Sequence, residues 1–310
     1  MSQRPSISVI IPVSERHDDL RELHAAYEEN LAGYTNEFSY IIDGYFPEAV
    51  SQLRELSQEG RCIKVFQLAR CFGEATALTV GIEKSTADLL LTLPAYFQVE
   101  PGDFRRLLEA LDDNDMVICR RFPRVDSKLN RLQTRVFHWG VSRISGNRFR
   151  DLGCSVRLIR REVVADMHLY GEQHRFLPIM AARWGYQVRE VDLAQSKRDP
   201  YRRVYAPGVY TRRFLDLLTV FFLVKFTQKP LRFFGLIGSG TAAAGGFVVV
   251  VMIIQRLFFE VPLGDRPALL LAALLIVLGV QLLALGLIGE LMIFIHAREL
   301  KEYRVKEIVE

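Results

Sequence analysis

Through the first half of the chain, short runs of β-branched and aliphatic residues alternate with stretches whose apolar positions recur at helical spacing. That alternation specifies an α/β domain on a mostly parallel, Rossmann-like sheet. Ile7 to Val13 reads as the first strand, with Pro12 near its close, and Asp18 to Leu31 as the first helix. Phe38 to Ile42 is a second strand ending in Asp43-Gly44, followed by a helix over Glu48 to Gln58. Ile63 to Leu68, Gly73 to Lys84 and Asp88 to Leu93 supply a third strand, a third helix and a fourth strand that stops at Pro94. A helix over Asp103 to Leu111 and a strand over Met116 to Cys119 then lead into the basic stretch RRFPRVDSKLNR. In such sheets the ligand crevice lies outside the carboxyl ends of the strands, which brings Asp43, Arg70 and the Pro94 to Gln98 segment together.

The pattern changes after residue 210. Thr211 to Thr227 is apolar but interrupted by Asp216 and Lys225 and stopped by Pro230, so it reads as a helix lying in a membrane interface. Phe233 to Gln255 and Pro267 to Gly289 contain no Asp, Glu, Lys or Arg, and each run of about 23 residues reaches roughly 35 Å as a helix, enough to cross a bilayer. The expected organisation is a globular domain over 1–210, a juxtamembrane helix over 211–230, two transmembrane helices within 231–297 and a tail over 298–310. Lys225, Lys229 and Arg232 precede the first span and Arg298, Lys301, Arg304 and Lys306 follow the second, whereas only Arg256 and Arg266 edge the loop between them. By the positive-inside rule both termini are cytoplasmic.

Composition adds limits rather than a function. The 310 residues are 50% hydrophobic and 25% charged with a net charge of +4, and the basic clusters beside the spans match anionic headgroups, so nucleic acid is not expected as a partner. The four cysteines, Cys62, Cys71, Cys119 and Cys154, have no CxxC spacing and no zinc-ligand spacing, which suits a reducing compartment. The opening MSQRPSISVIIPV is too short in its apolar part for a signal peptide.

The order of SVIIPV, IIDG, ARCFGEATALTVGIEKSTADLLLTLPAYFQVEP, RRFPRVDS, RDLGCSVRLIRREVV and KPLRFFGLIGSG before two spans resembles the family 2 polyprenyl-phosphate glycosyltransferases over nearly the whole chain. It is most similar to the bacterial enzymes that load undecaprenyl phosphate with aminoarabinose or glucose, and is also similar to dolichyl-phosphate mannose synthases. The resemblance implies a GT-A fold, a nucleotide-sugar donor of UDP type, a polyprenyl phosphate acceptor and a divalent Mg²⁺ or Mn²⁺. It also implies a bacterial inner membrane location with the catalytic domain cytoplasmic, and a homo-oligomer, tetramers being known in the family.

Carried over residue by residue, the resemblance places Pro12, Asp43, Arg70, Gly73 and Gln98 at the donor. Arg121, Arg124, Ser127, Arg198 and Arg203 fall near the donor and acceptor phosphates, and Asp151 at the reacting centre. The departures are local. Ile42 replaces the first acid of the Asp-Asp-Gly turn, Ser14, Glu15 and Arg16 stand where the family prefers Tyr, Asn and Glu, and YRRVY replaces a Gly-x-Ser-Lys stretch. Pro94 and Tyr96 occupy the positions of the Asp-x-Asp pair that binds the metal, and neither offers a carboxylate.

From the residues alone, Asp43 before Gly44 is either an Asx-turn residue or a ligand contact, the arginines either a solvated or lipid-facing patch or a phosphate grip, and Asp151 either a cap or a reacting group. His174 reads as packing or surface. A phosphate monoester has its second pKa near about 6, so the acceptor needs no strong general base. The demanding part is the charge on the leaving diphosphate, which guanidinium groups can grip bidentately. The expected function is sugar transfer to polyprenyl phosphate without a protein-bound metal. The alternative is a catalytically degenerate relative kept as a binding or assembly subunit.

Overall fold

The structure is a computed structural model that describes residues 6–14, 16–124, 142, 146, 149–165, 173–199, 215, 230–259 and 267–296. The chain divides into two compact units, Met1–Leu217 and Leu218–Glu310.

The first unit carries a seven-stranded sheet. Its strands are β1 (Ser6–Val13), β2 (Thr35–Ile42), β3 (Ile63–Gln67), β4 (Leu89–Thr92), β5 (Met116–Arg121), β6 (Arg157–Arg160) and β7 (Val188–Leu193), in the order β3-β2-β1-β4-β6-β5-β7. Only β6 runs against its neighbours; the β1–β2, β1–β4, β2–β3 and β5–β7 pairs are parallel. Residues 7–13 of β1 are all buried, as a central strand covered on both faces requires. β3 is an edge strand and exposes Lys64 and Gln67.

The helices cover both faces. α1 (Leu20–Asn30) buries Leu20, Leu23, His24 and Tyr27 at helical spacing and is capped by Asp19, whose carboxylate accepts from the amides of Arg21 and Glu22. α2 (Pro47–Gln58) starts with proline in the first turn and buries Ala49, Leu53 and Leu56. α3 (Glu74–Lys84) lies on the other face. Gly81 lets it approach the sheet, since a Cβ there would sit 2.4 Å from Ile10 Cγ2 and 2.9 Å from Ile41 Cδ1.

The helix expected over Asp103 to Leu111 is present as a shorter α4 (Phe104–Glu109), preceded by a 3₁₀ turn, Pro101–Asp103. Pro101 favours the tight turn at the start, and Phe104 and Leu107 anchor the rest in the core. Among the described residues, β6, α5 (Arg161–Ala165), a 3₁₀ turn (Gln173–Phe176), α6 (Leu177–Arg183) and β7 have no counterpart in the sequence reading. β6 is only RLIR, and Arg157 inside it is buried because its guanidinium donates to the carbonyls of His174 and, at 3.3 Å, Leu152.

The second unit is a helical hairpin of α7 (Pro230–Phe259) and α8 (Pro267–His296), both long and apolar enough to cross a membrane. Glycines set their closeness. A Cβ on Gly238 would lie 2.6 Å from the Gly279 carbonyl, and one on Gly245 2.7 Å from that of Ala272. At the other end Gly286 faces Leu231 and Phe234, and Gly289 faces Pro230. Glu290 on α8 accepts a hydrogen bond from the amide of Leu231 at 3.4 Å, meeting one of the donors that the first turn of α7 leaves over. The expected interface helix over Thr211 to Thr227 lies outside the described residues apart from Leu215, as does the tail over 298–310.

Candidate active site

The strand order reverses between β1 and β4. The chain runs outward through β2 and β3 on one side and resumes at β4 on the other, which makes the carboxyl ends of β1 and β4 the switch point where such sheets bind ligands. Pro12 helps to open this crevice: it has no N–H, and pairing between β1 and β4 stops at Ile10. Asp18 then ties the two departing loops together. Its amide donates to the Ala95 carbonyl at 2.9 Å and its carboxylate accepts from the Phe97 amide at 2.9 Å.

Asp43, at the end of β2, has its carboxylate turned inward. It accepts from the amides of Phe72 and Gly73 at 2.7 and 2.8 Å and is met by the Cys71 thiol at 3.5 Å. It therefore joins the ends of β2 and β3. Gly73 makes this possible with φ +100°, a conformation that side chains disfavour, immediately before α3. Arg70 is exposed beside this brace, its guanidinium 4.9 Å from the Phe72 ring centre.

Gln98 is buried and acts as a second joint. Its Oε1 accepts from the Ser155 amide at 2.9 Å and from Cys154 Sγ at 3.2 Å, while Nε2 donates to the Tyr96 hydroxyl at 2.9 Å. The Tyr96 ring in turn lies under the guanidinium of Arg16, 4.2 Å from its carbon to the ring centre.

Beyond β5 stands the densest charge cluster. Asp151 is buried, with Arg121 on both of its oxygens and Arg124 Nη2 on Oδ1 at 3.2 Å. Burial pushes its carboxyl up, but the charge and hydrogen bonds of Arg121, then Arg124, outweigh this and hold it down to about 2. The two guanidinium groups thus favour the ionised form of Asp151. Arg121 also lies 3.8 Å from Asp199, whose other oxygen pairs with Arg16 at 3.1 Å. Arg198 packs over the Phe97 ring and pairs with Glu22 at 2.5 Å on the surface.

The structure brings Pro12, Asp43, Arg70, Gly73, Gln98, Arg121, Arg124, Asp151 and Arg198 to one edge of the sheet; Ser127 and Arg203 lie outside the described residues. Sequence reasoning gave no site role to Arg16, Asp199 or Glu74. Glu74 opens α3 and pairs with His174 at 3.3 Å; His174 is buried, a packing residue that also carries this ion pair. Burial would raise the Glu74 carboxyl, but its hydrogen bond with His174 brings it below its usual value. Position was the available signal for Arg16, a charge in the first loop at the switch point.

The divalent metal that the resemblance implies does not fit the end of β4. Pro94 has no ligating side-chain atom, the Tyr96 hydroxyl is held by Gln98, and the Tyr96 ring is covered by a cation that would repel another. Among the described residues no group of three or more His, Cys, Asp or Glu side chains is placed to hold a metal.

Known proteins match this chain in both sequence and fold. Undecaprenyl-phosphate 4-deoxy-4-formamido-L-arabinose transferase of Pseudomonas aeruginosa is 31% identical over 92% of this chain and 84% of its own length. Dodecaprenyl-phosphate galacturonate synthase of Rhizobium johnstonii is 24% identical over 96% and 90%. The fold matches that of glucosyl-3-phosphoglycerate synthase from Mycobacterium tuberculosis, solved with Mn²⁺, UDP and phosphoglyceric acid, with a TM-score of 0.54, 9% identity and coverage of 70% of this chain and 78% of that one. Residues 8–167, just the part that builds the crevice from β1 to α5, match the family description as well, and the chain belongs to glycosyl transferase family 2.

Proposed function

We propose that this glycosyltransferase moves a sugar from a nucleotide-diphosphate donor to a polyprenyl phosphate at the cytoplasmic face of a membrane, with both chain termini on that side. The relatives named for undecaprenyl and dodecaprenyl phosphate support the acceptor, since the likeness runs over 92% and 96% of this chain, beyond the globular unit. The two apolar helices support membrane attachment. The single observation that carries the chemistry is the gathering of arginines at one sheet edge, Arg121 and Arg124 on the buried Asp151, Arg16 on Asp199 and Arg198 over the Phe97 ring.

The division of labour follows from charge. The acceptor phosphate is already largely dianionic near neutral pH and attacks without a base. Asp151, whose ionised form Arg121 and Arg124 favour, orients these two arginines rather than moving a proton. The Gln98 joint holds the segment that follows Asp151, and the Asp43 joint braces the ends of β2 and β3, a preorganisation that keeps donors aimed where charge develops.

The test is transfer by the purified full chain in nanodiscs, with undecaprenyl phosphate and a panel of UDP-linked sugars, read as a lipid-linked sugar. Formation of product that falls at least tenfold in Arg124→Ala is expected. A chain that binds neither nucleotide nor lipid phosphate would overturn this reading in favour of a non-catalytic assembly subunit, which the replacement of both metal carboxylates by Pro94 and Tyr96 otherwise favours.

A further inference from the structure

Two departures from the family pattern meet in space. Arg16 stands where the family prefers an acid in the first loop, and Tyr96 where it places a metal-binding carboxylate; in this fold they form a single stacked pair at the switch point between β1 and β4. The contact is built in, because Asp18 joins the loop of Arg16 to that of Tyr96 through Ala95 and Phe97. One substitution therefore puts a fixed cation where the other removes the means of holding a mobile one.

The geometry of stacking matters. A guanidinium lying on a ring uses its face, while its N–H donors point outward in its own plane, where they remain able to grip phosphate oxygens. Arg16 has five such donors and uses two in hydrogen bonds, to Asp199 Oδ1 at 3.1 Å and to the Arg198 carbonyl at 3.3 Å. Its side chain is 37% exposed, against 8% for Arg121, which is occupied by Asp151. Asp199 is itself fully buried and shared with Gln195 and Arg121, so it anchors one edge of Arg16 from below.

We propose that Arg16, held on the Tyr96 ring and by Asp199, binds the diphosphate of the donor and takes the role that a divalent metal fills in the family pattern. This rests on the nucleotide-sugar reading above. In the transfer the bond between the anomeric carbon and the donor β-phosphate oxygen breaks, and its electron pair stays on that oxygen. A bond forms from an acceptor phosphate oxygen to the same carbon. The leaving nucleoside diphosphate gains one negative charge, the acceptor phosphate loses one, and no proton changes place. Arg16 meets the gained charge as a cation already held in place. Tyr96 is its positioning residue.

The experiment is calorimetric titration of the full chain in detergent with UDP, GDP and inorganic pyrophosphate, each with Mn²⁺ and with EDTA. The variants are Arg16→Gln, Arg16→Lys, Tyr96→Phe and Tyr96→Ala, and the melting midpoint of each unliganded variant is measured alongside. Arg16→Gln is expected to weaken pyrophosphate and nucleoside diphosphate at least tenfold, with a midpoint lowered by the loss of a cation from the buried Asp199, and Arg16→Lys, which returns a cation there, to restore the midpoint but only part of the binding. Tyr96→Phe keeps the ring and is expected to stay within threefold of the parent, whereas Tyr96→Ala follows Arg16→Gln. EDTA leaves all of these values unchanged. Parent-like binding in Arg16→Gln, or binding that requires Mn²⁺, overturns the inference and leaves the donor reading standing. Pyrophosphate bound through Arg16 by a chain that takes no nucleotide supports the inference and overturns the donor reading. A parent chain that binds none of the three overturns both.

Discussion

Arg121 forms a two-pronged ion pair with Asp151, Nε to Oδ2 at 2.8 Å and Nη2 to Oδ1 at 2.9 Å, and its own backbone amide donates to Oδ2 at 3.2 Å. The carboxylate thus fixes both the side chain and the last residue of β5. Breaking a buried pair by removing one partner leaves an uncompensated charge. Asp151→Asn is expected to lower unfolding free energy by about 3–5 kcal/mol and to reduce turnover more than donor affinity. Denaturant titration beside steady-state kinetics checks this, and a parent-like midpoint would count against it.

The same pair sets an acid limit. The carboxyl of Asp151 stands at about 2 in the fold, below its unfolded value near 3.8, so its contribution is present above pH 4 and lost as pH falls toward 2. Its size is on the order of 2 kcal/mol. Melting midpoints followed from pH 5 to pH 2 should fall more steeply for the parent than for Asp151→Asn. Parallel curves would show that the pair carries no such linkage.

Gly81→Ala drives a methyl into Ile10 and Ile41 and is expected to cost about 1–3 kcal/mol by overpacking. Gly102→Ala, whose nearest neighbour would be Asn30 Oδ1 at 3.8 Å, is the control and should change stability by no more than about 0.5 kcal/mol. Equal effects would mean that α3 does not sit as closely on the sheet as its glycine allows.

Transfer by the purified enzyme is expected to be insensitive to EDTA, since the end of β4 presents Pro94 and Tyr96 in place of carboxylates. Activity measured after exhaustive chelation, with Mn²⁺ or Mg²⁺ restored in a parallel sample, decides. Strict dependence on added Mn²⁺ would sink the metal-free mechanism.

In a background without the native cysteines, a reporter cysteine at Asp265 is expected to react with a membrane-impermeant reagent from outside the cell. One at Glu310 is expected to react only after permeabilisation. The opposite pattern would invert the topology.

The first five strands and the first three helices were legible because their apolar positions recur at strand or helical spacing between turn residues such as Asp43-Gly44 and Pro94, and both long helices because each contains an uncharged run long enough to cross a bilayer. β6 and β7 were not, for opposite reasons. β6 is four residues with an arginine at each end, whose burial depends on carbonyls elsewhere in the fold, and β7 interleaves Arg189, Glu190 and Asp192 with its apolar positions. The site divides the same way. The family resemblance pointed to Asp43, Gln98 and Asp151, but local sequence could not show that their polar atoms are turned onto neighbouring loops. Arg16 and Asp199 are 183 positions apart, and only the folded sheet brings them together.

The hairpin of the second unit has a consequence for a long isoprenoid. Its contacts run from Gly245 against Ala272, through Gly238 against Gly279, to Gly289 against Pro230, a stretch of α8 spanning about 25 Å of rise. Helices that meet backbone to backbone over most of a hydrocarbon layer leave no seam wide enough for an acyl or prenyl chain. An apolar chain that runs beside this hairpin therefore meets its flanks, where Leu270, Leu274 and Leu278 of one helix and Phe247 and Leu257 of the other are exposed.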